Sequence, residues 1–190
     1  AREQWGVDPD STVLIYVGRL AREKNLTLLL DSFERLAKDH PAVRLVFVGG
    51  GPYEEGLKRE ATARGLGDRV VVAGFVPREK VGRVYCGGDI FVFPSMTETQ
   101  GLVLGEALAA GLPCVAVNAG GSPEMVRHGE DSFLCENDCA DCTSRIDLLL
   151  RDAGLRRRFA SAAVENSRRF RPEEMARSML DAYRSAMGSR

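Results

Sequence analysis

The sequence has little aromatic content and no excess of charge of either sign. Of its 190 residues, 7% are aromatic, one is tryptophan, and the formal net charge at pH 7 is −1. The lack of a basic excess argues against nucleic acid as a partner and against membrane attachment through overall charge. No apolar run approaches the length that crosses a bilayer, and no secretory leader is visible.

Cysteine and histidine are too few, or too poorly spaced, for several kinds of site. The five cysteines are an odd number, which fits a reducing compartment better than a disulfide framework, so a cytoplasmic protein is expected. Cys135, Cys139 and Cys142 contain one Cys-x-x-Cys pair, whereas a zinc site usually needs a fourth ligand and two close pairs. We therefore interpret them as ordinary thiols and expect no metal or cofactor. Neither histidine has an evident nucleophile partner, which argues against a His-based triad.

Short apolar segments alternate with longer amphipathic segments along the chain. The apolar segments are rich in β-branched residues and are predicted to be strands at 12–18, 43–51, 69–75, 89–95, 113–118 and 132–136. Strands that are apolar on both faces and alternate with helices indicate an α/β fold. The prediction is a doubly wound, Rossmann-like parallel sheet of about six strands, with helices on both faces. No repeat or linker is visible, so residues 1–190 are expected to form one domain.

The amphipathic segments predict helices between the strands and throughout the C-terminal part. A helix is expected over 25–40 with Asn25 as its cap, and another over about 53–64. From Asp141 onward the pattern is helical only, and Pro172 suits the first position of the last helix.

Ligands of doubly wound sheets bind in the loops beyond the carboxyl ends of the strands. Five such loops are expected along one edge, at 18–25, 49–55, 74–79, 94–101 and 118–124. Arg19 and Lys24 in the first loop are cations that can hold a diphosphate, although a solvated loop is the alternative. The turn GGGP lacks the third glycine of a dinucleotide motif and the Lys-Ser or Lys-Thr of a P-loop, so it predicts only a tight turn.

The segment TETQGLVLGEALAAG gives a more specific prediction. Gly101 is expected near a helix start, where the amides of Gly101, Leu102 and Val103 are free to meet an anion. Glu106 follows about one turn later, roughly 7 Å along the helix, a separation that resembles phosphate to ribose. Glu106 can accept ribose hydroxyls, and Glu98 can accept hydroxyls of a sugar. The alternative is a helix-entry charge at Glu98 and a surface residue at Glu106.

Five motifs in order, from about Val13 to Gly129, resemble the C-terminal domain of retaining family 4 glycosyltransferases, which have the GT-B fold. The motifs are GRL…EKN, VGGGP, GFVP, the pair Glu98-x7-Glu106, and EALAAGLPCVA…GGSPE. Two positions depart from the family pattern. Gly50 stands where an aspartate is frequent, and Gln100 stands where an aromatic residue is frequent.

The resemblance implies a nucleotide-sugar donor site that needs no metal. Arg19, Lys24 and Glu98 would be the catalytic residues: the two cations would stabilise the leaving nucleoside diphosphate, and Glu98 would hold the sugar. The implied donor-binding residues are Gly18, Val76 at the base, Gln100, Gly101, Leu102 and Val103 at the sugar and phosphates, and Glu106 at the ribose.

GT-B enzymes place their active site between two domains, of which the acceptor domain comes first. The resemblance therefore implies the donor-binding half of a hexosyltransferase without its N-terminal acceptor domain, and no transfer by this half alone. The donor would be a UDP- or GDP-sugar, with UDP favoured, and the acceptor a glycan or lipid. The form TETQGLV is most similar to lipid-glycosylating members, which would place the full enzyme at a membrane surface.

The family's last helix crosses to the acceptor domain, so the helix after Pro172 is expected to have an uncovered apolar face. The basic run RRRF at 156–159, with Arg168 and Arg169, is interpreted as a solvated face; binding to a membrane or an acidic partner is the alternative. The alternatives to a transferase half are a non-catalytic nucleotide-binding module and a sugar-nucleotide epimerase-like domain.

Overall fold

The structure is a computed structural model and describes residues 1–188. It contains a sheet of six strands: β1 (Thr12–Val17), β2 (Val43–Val48), β3 (Val70–Val72), β4 (Ile90–Phe93), β5 (Cys114–Val117) and β6 (Ser132–Cys135). All strand pairs are parallel, and the order across the sheet is β3-β2-β1-β4-β5-β6. The predicted Rossmann-like parallel sheet is confirmed, with the strand order 3-2-1-4-5-6 of the doubly wound class.

The helices connect the strands and then continue to the C-terminal end of the described chain. They are α1 (Leu26–Asp39), α2 (Glu54–Ala63), α3 (Arg78–Tyr85), α4 (Leu102–Ala109), α5 (Ser122–Met125), α6 (Cys139–Arg151), α7 (Ala153–Ser167) and α8 (Pro172–Gly188). Short 3-10 turns cover Arg22–Lys24 and Arg168–Phe170. The purely helical C-terminal part and the start of α8 at Pro172 agree with the prediction.

The strands lie in the interior because both of their faces are apolar. Leu14 and Ile15 are neighbours that point to opposite faces of β1, and both are fully buried. β1 pairs with β2 over six residues, from Thr12 with Val43 to Val17 with Val48. The order of the strands reverses at β1 and β4, so the loops after these two strands flank the crevice where such sheets bind ligands.

Two details of the sequence prediction are corrected. Asn25 lies at the N-cap position of α1, but it has φ 58° and ψ 33° and its side chain does not cap the helix. The side-chain amide of Asn25 instead donates to the carbonyl of Pro94 at 3.1 Å and to Oδ1 of Asn137 at 2.8 Å. Strands β2 and β3 also end earlier than predicted, at Val48 and Val72, and the residue after β2, Gly49, has φ 136°.

Helix α8 has an uncovered apolar face, as the sequence analysis expects. Five large apolar side chains of this helix are more than half exposed: Met175, Met179, Leu180, Tyr183 and Met187. Among residues 1–188, no helix combines the length and apolar character needed to cross a membrane.

Candidate functional site

Backbone hydrogen bonds join the first three of the predicted ligand loops into one surface. The amide of Leu20 donates to the carbonyl of Gly50 at 3.0 Å, and the amide of Tyr53 donates to the carbonyl of Leu20 at 2.9 Å. The amide of Gly49 donates to the carbonyl of Gly74 at 2.8 Å. The loops after β1, β2 and β3 therefore hold one another at the carboxyl edge of the sheet.

The glycine-rich turn after β2 allows the loop after β1 to approach closely. A Cβ at Gly49 would lie 1.9 Å from the carbonyl oxygen of Gly18, and a Cβ at Gly51 would lie 2.2 Å from that of Leu20. Neither contact leaves room for a side chain. The glycines of this turn therefore allow the close packing that positions the backbone around Gly18.

A second glycine turn supports the loop that carries Glu98. The amide of Gly121 donates to the carbonyl of Glu98 at 2.8 Å. A Cβ at Gly120 would lie 2.3 Å from that same oxygen, and a Cβ at Gly121 would lie 2.6 Å from the carbonyl oxygen of Thr99. The turn after β5 thus fixes the backbone on both sides of the predicted sugar-binding carboxylate.

The cations of the first loop have different surroundings. The side chain of Arg19 is 65% exposed, and its guanidinium is 3.7 Å from Glu23. The Nζ of Lys24 donates to Oε1 of Glu98, in a pair whose side chains are only 20% and 27% exposed. Two predicted catalytic residues are therefore in direct contact. The guanidinium of Arg22 lies over the ring of Tyr53, 4.7 Å from its centroid.

Helix α4 begins at Leu102, directly after Gly101, as predicted. Gly101 has φ 59° and ψ 34°, a left-handed conformation that suits glycine. Among residues 1–188, no backbone carbonyl accepts from the amides of Gly101, Leu102 or Val103. These amides, with the exposed Gln100 beside them, form the helix start that the sequence predicts as an anion site.

Glu106 is exposed on α4 and is held by a buried hydroxyl group. The hydroxyl of Tyr85, at the end of α3, donates to Oε2 of Glu106 at 2.8 Å. Burial and the nearby carboxylate of Glu106 raise the pKa of Tyr85 far above its usual value, so the phenol keeps its proton.

A second buried tyrosine lies beneath the first loop. The hydroxyl of Tyr16 donates to the carbonyl of Arg19 at 3.1 Å. Burial, with smaller contributions from Glu98 and Glu23, raises the pKa of Tyr16 well above its usual value. The sequence analysis did not single out Tyr16 or Tyr85. The only sign in the sequence that they belong to the site is their position: Tyr16 precedes a ligand loop, and Tyr85 lies at a helix end.

An apolar cavity of about 290 Å³ opens between the first three loops. It is lined by Val17, Gly18, Arg19, Val48, Gly49, Gly50, Phe75, Val76 and Val81. The structure thereby brings together two of the predicted donor-binding residues, Gly18 and Val76, and the predicted catalytic residue Arg19. Phe75, which the sequence analysis also did not single out, is 78% exposed at this cavity.

The cysteines form no disulfide, and Cys114, Cys135 and Cys142 are buried. Within the described range, no group of three His, Cys, Asp or Glu side chains is placed to hold a metal ion. Burial raises the pKa of the Cys114 thiol well above its usual value.

Comparison with known protein families gives one match that covers most of the chain. Residues 1–166 match the family described as Glycosyl transferases group 1. A sulfoquinovosyl transferase of Arabidopsis thaliana is 36% identical over 167 residues, which are 86% of this chain and 31% of that protein. A D-inositol 3-phosphate glycosyltransferase of Corynebacterium kroppenstedtii is 35% identical over 195 residues, 98% of this chain and 43% of that protein. The chain thus spans less than half of each of these relatives.

Solved structures share the fold over almost the whole chain. HepE of Anabaena in complex with UDP has a TM-score of 0.86 and 28% identity, and covers 97% of this chain and 51% of that one. The sucrose-phosphate synthase of Thermosynechococcus elongatus has a TM-score of 0.83 and 28% identity, with coverage of 100% and 49%. The C-terminal domain of a group 1 glycosyl transferase from Francisella tularensis has a TM-score of 0.74, with coverage of 87% and 89%; its 22% identity supports the fold only.

Proposed function

This chain belongs to the group 1 glycosyltransferase family, and on that premise we propose that it is the donor-binding half of a retaining hexosyltransferase. The enzyme would transfer a sugar from a UDP-sugar, ahead of a GDP-sugar, to a glycan or lipid acceptor. The missing half would be an N-terminal acceptor domain. This part of the proposal is supported by the relatives' length, since the chain spans 31% and 43% of two of them.

The observation that carries the proposal is the arrangement of three features along one edge of the sheet. The apolar cavity at Val76 is suited to a nucleobase, and Arg19 lies at its rim. The open amides at the start of α4 suit phosphate oxygens. Glu106 lies further along the helix and suits ribose hydroxyls. Base, diphosphate and ribose thus each have a complementary surface.

The pairing of Lys24 with Glu98 suggests how these two residues act. A carboxylate has two oxygens, so a hydrogen bond from Lys24 to Oε1 leaves Oε2 of Glu98 for a sugar hydroxyl. A carboxylate that is already neutralised by an ammonium group is a poor nucleophile. We therefore assign Glu98 to sugar binding. Arg19 and Lys24 would stabilise the charge that develops on the leaving nucleoside diphosphate, with no metal or other cofactor.

The preference for UDP is supported by the relatives, and the lining of the cavity is suited to a nucleobase. HepE, at 28% identity, has been solved with UDP and, in a further structure, with UDP-glucose. The cavity of about 290 Å³ is lined by valines and by Phe75, an aromatic side chain of a kind that stacks on nucleobases. Because Gly50 stands where the family frequently has an aspartate, the described residues that line this cavity include no carboxylate.

Calorimetry with UDP, UDP-glucose, GDP and ADP tests the proposed donor site. We expect UDP and UDP-glucose to bind with dissociation constants below about 1 mM, and GDP and ADP to bind at least several-fold more weakly. Absence of binding by all four ligands at millimolar concentration would refute the donor site. If GDP binds as tightly as UDP, the proposed preference for UDP is refuted but the proposed donor site is not.

Two alternatives share the nucleotide site but not the reaction. A non-catalytic nucleotide-binding module and a sugar-nucleotide epimerase-like domain would each bind a nucleotide without transferring a sugar. Sugar transfer by the full-length protein separates the proposal from both. We also place the full enzyme in the cytoplasm, at a membrane surface if its acceptor is a lipid. The cytoplasmic assignment is supported by five free cysteines, three of them buried in reduced form.

A further inference from the structure

Glu106 reaches solvent, yet its carboxylate is held from below by a group that solvent does not reach. Tyr85 is 1% exposed, and its hydroxyl lies 2.8 Å from Oε2 of Glu106. The same hydroxyl lies 3.5 Å from the carbonyl of Val103. A phenol has one proton to donate, and the shorter contact is to a charged acceptor, so the proton is directed to Glu106.

The position of the Tyr85 hydroxyl is fixed by the core of the protein. Its ring packs against Phe91 of β4, with centroids 5.8 Å apart, and Phe91 stacks on Phe93 at 6.0 Å. A long, exposed glutamate has several rotamers of similar energy. A ligand that binds only one of them loses affinity, because binding then costs the rotamer entropy of the side chain. The fixed donor selects one rotamer before any ligand arrives.

The bond to Oε2 leaves Oε1 and one lone pair of Oε2 open toward solvent. Two adjacent hydroxyls of a ribose present two donors, which these acceptor positions match. Glu98 is held in a different way, by the ammonium group of Lys24 rather than by a buried neutral hydroxyl. The two carboxylates of the site are thus oriented by independent partners.

We propose that Tyr85 is a positioning residue that orients Glu106 toward the ribose and thereby makes this site discriminate ribonucleotides from 2′-deoxyribonucleotides. The inference rests on the proposed donor site, in which Glu106 accepts the ribose hydroxyls. Tyr85 itself does not touch the nucleotide. Its effect is therefore largest for ligands that carry both ribose hydroxyls.

The test compares UDP with 2′-deoxy-UDP by calorimetry, with the chain as it stands and with its Tyr85→Phe variant. The original chain is expected to bind UDP roughly tenfold or more tightly than 2′-deoxy-UDP, the usual effect of a hydrogen bond to a charged group. Tyr85→Phe is expected to weaken UDP binding about three- to tenfold. It should weaken 2′-deoxy-UDP binding by less, because that ligand keeps only one of the two ribose hydroxyls, so the affinity ratio moves toward one.

Tyr16→Phe is the matched control, because it also removes one buried hydroxyl but lies under Arg19. It is expected to change both affinities by the same factor and to leave their ratio intact. In a Glu106→Ala background, the ratio of the UDP and 2′-deoxy-UDP affinities should already be near one, and adding Tyr85→Phe should not change it further. Tyr85→Phe removes a single oxygen and keeps the ring packing, and thermal unfolding checks that the variant is folded.

The outcomes separate the inference from the function on which it rests. If the original chain binds UDP and 2′-deoxy-UDP equally, the assignment of Glu106 to the ribose is wrong. If the original chain discriminates and Tyr85→Phe discriminates equally well, the positioning role is overturned and the ribose assignment stands. An additional loss of discrimination on adding Tyr85→Phe to Glu106→Ala also overturns it, since Tyr85 would then act without Glu106.

Discussion

Arg19 and Lys24 carry the same charge in the same loop but are held in different ways. Arg19 is mostly exposed, and its contact with Glu23 at 3.7 Å is of a kind that contributes little to stability. It therefore remains available for a diphosphate. Lys24 is largely covered and pairs with Glu98 across 74 residues of sequence, so it also ties two ligand loops together.

This difference predicts that alanine substitutions will separate affinity from stability. Arg19→Ala should weaken UDP binding about tenfold or more, since a charged hydrogen bond is lost, and should leave the melting temperature unchanged. Lys24→Ala should weaken UDP binding and also lower the free energy of unfolding, by about 1 kcal/mol, because Glu98 loses its partner. Calorimetry and urea unfolding measure the two effects.

The control for both variants is Arg35→Ala, which removes an exposed arginine from α1, away from the start of the helix that faces the site. It should change neither affinity nor stability. Wild-type UDP affinity in Arg19→Ala, or full stability in Lys24→Ala, would show that the corresponding contact does not have the role assigned to it.

At the scale of elements, the site depends on how loops pack against loops. Gly121 lies where the turn after β5 meets the loop after β4, and a Cβ there would lie 2.6 Å from the carbonyl oxygen of Thr99. Gly121→Ala is therefore expected to lower the free energy of unfolding by about 1–3 kcal/mol, the usual cost of forcing a buried contact. It should also weaken the binding of UDP-glucose more than that of UDP, since the displaced loop carries Glu98, the proposed sugar-binding residue.

Gly82→Ala is the matched control because it makes the same chemical change inside α3, where an added Cβ meets nothing within 4 Å. It should raise the free energy of unfolding by about 0.5–1 kcal/mol through helix propensity, with no change in affinity. Equal effects of the two substitutions would contradict the packing role of Gly121.

The sequence was sufficient to predict which loops meet, but not which side chains pair. Runs of apolar residues such as those around Leu14 and Ile15 predict strands buried on both faces, and a parallel sheet then places the loops that follow at one edge. The side-chain partners depend on tertiary distances that no local pattern encodes. Asn25 illustrates the limit: its residue type suggests a cap, but contacts with Pro94 and Asn137 determine its conformation.

At the scale of the whole molecule, several ionisable groups are buried in the core, where burial favours their protonated form. Burial raises the pKa of Tyr16, Tyr85 and Cys114 above the usual values of 10.0 for tyrosine and 9.0 for cysteine. In the unfolded chain these groups lose their protons at the usual pKa, whereas the folded chain retains them. Their contribution to stability is therefore complete below about pH 9 and is lost as the pH rises toward the raised values.

We therefore expect the free energy of unfolding to fall between about pH 9 and pH 11, by up to about 1.4 kcal/mol per pH unit for each group. Urea unfolding at a series of pH values measures this slope. Tyr16→Phe and Tyr85→Phe should each reduce the slope above pH 10, because one ionisable group is removed from the difference between the two states. Tyr183→Phe, which removes an exposed phenol from α8, should leave the slope unchanged. A profile that stays flat up to pH 11 in the original chain would mean that these hydroxyls and the thiol are not held in protonated form by the fold.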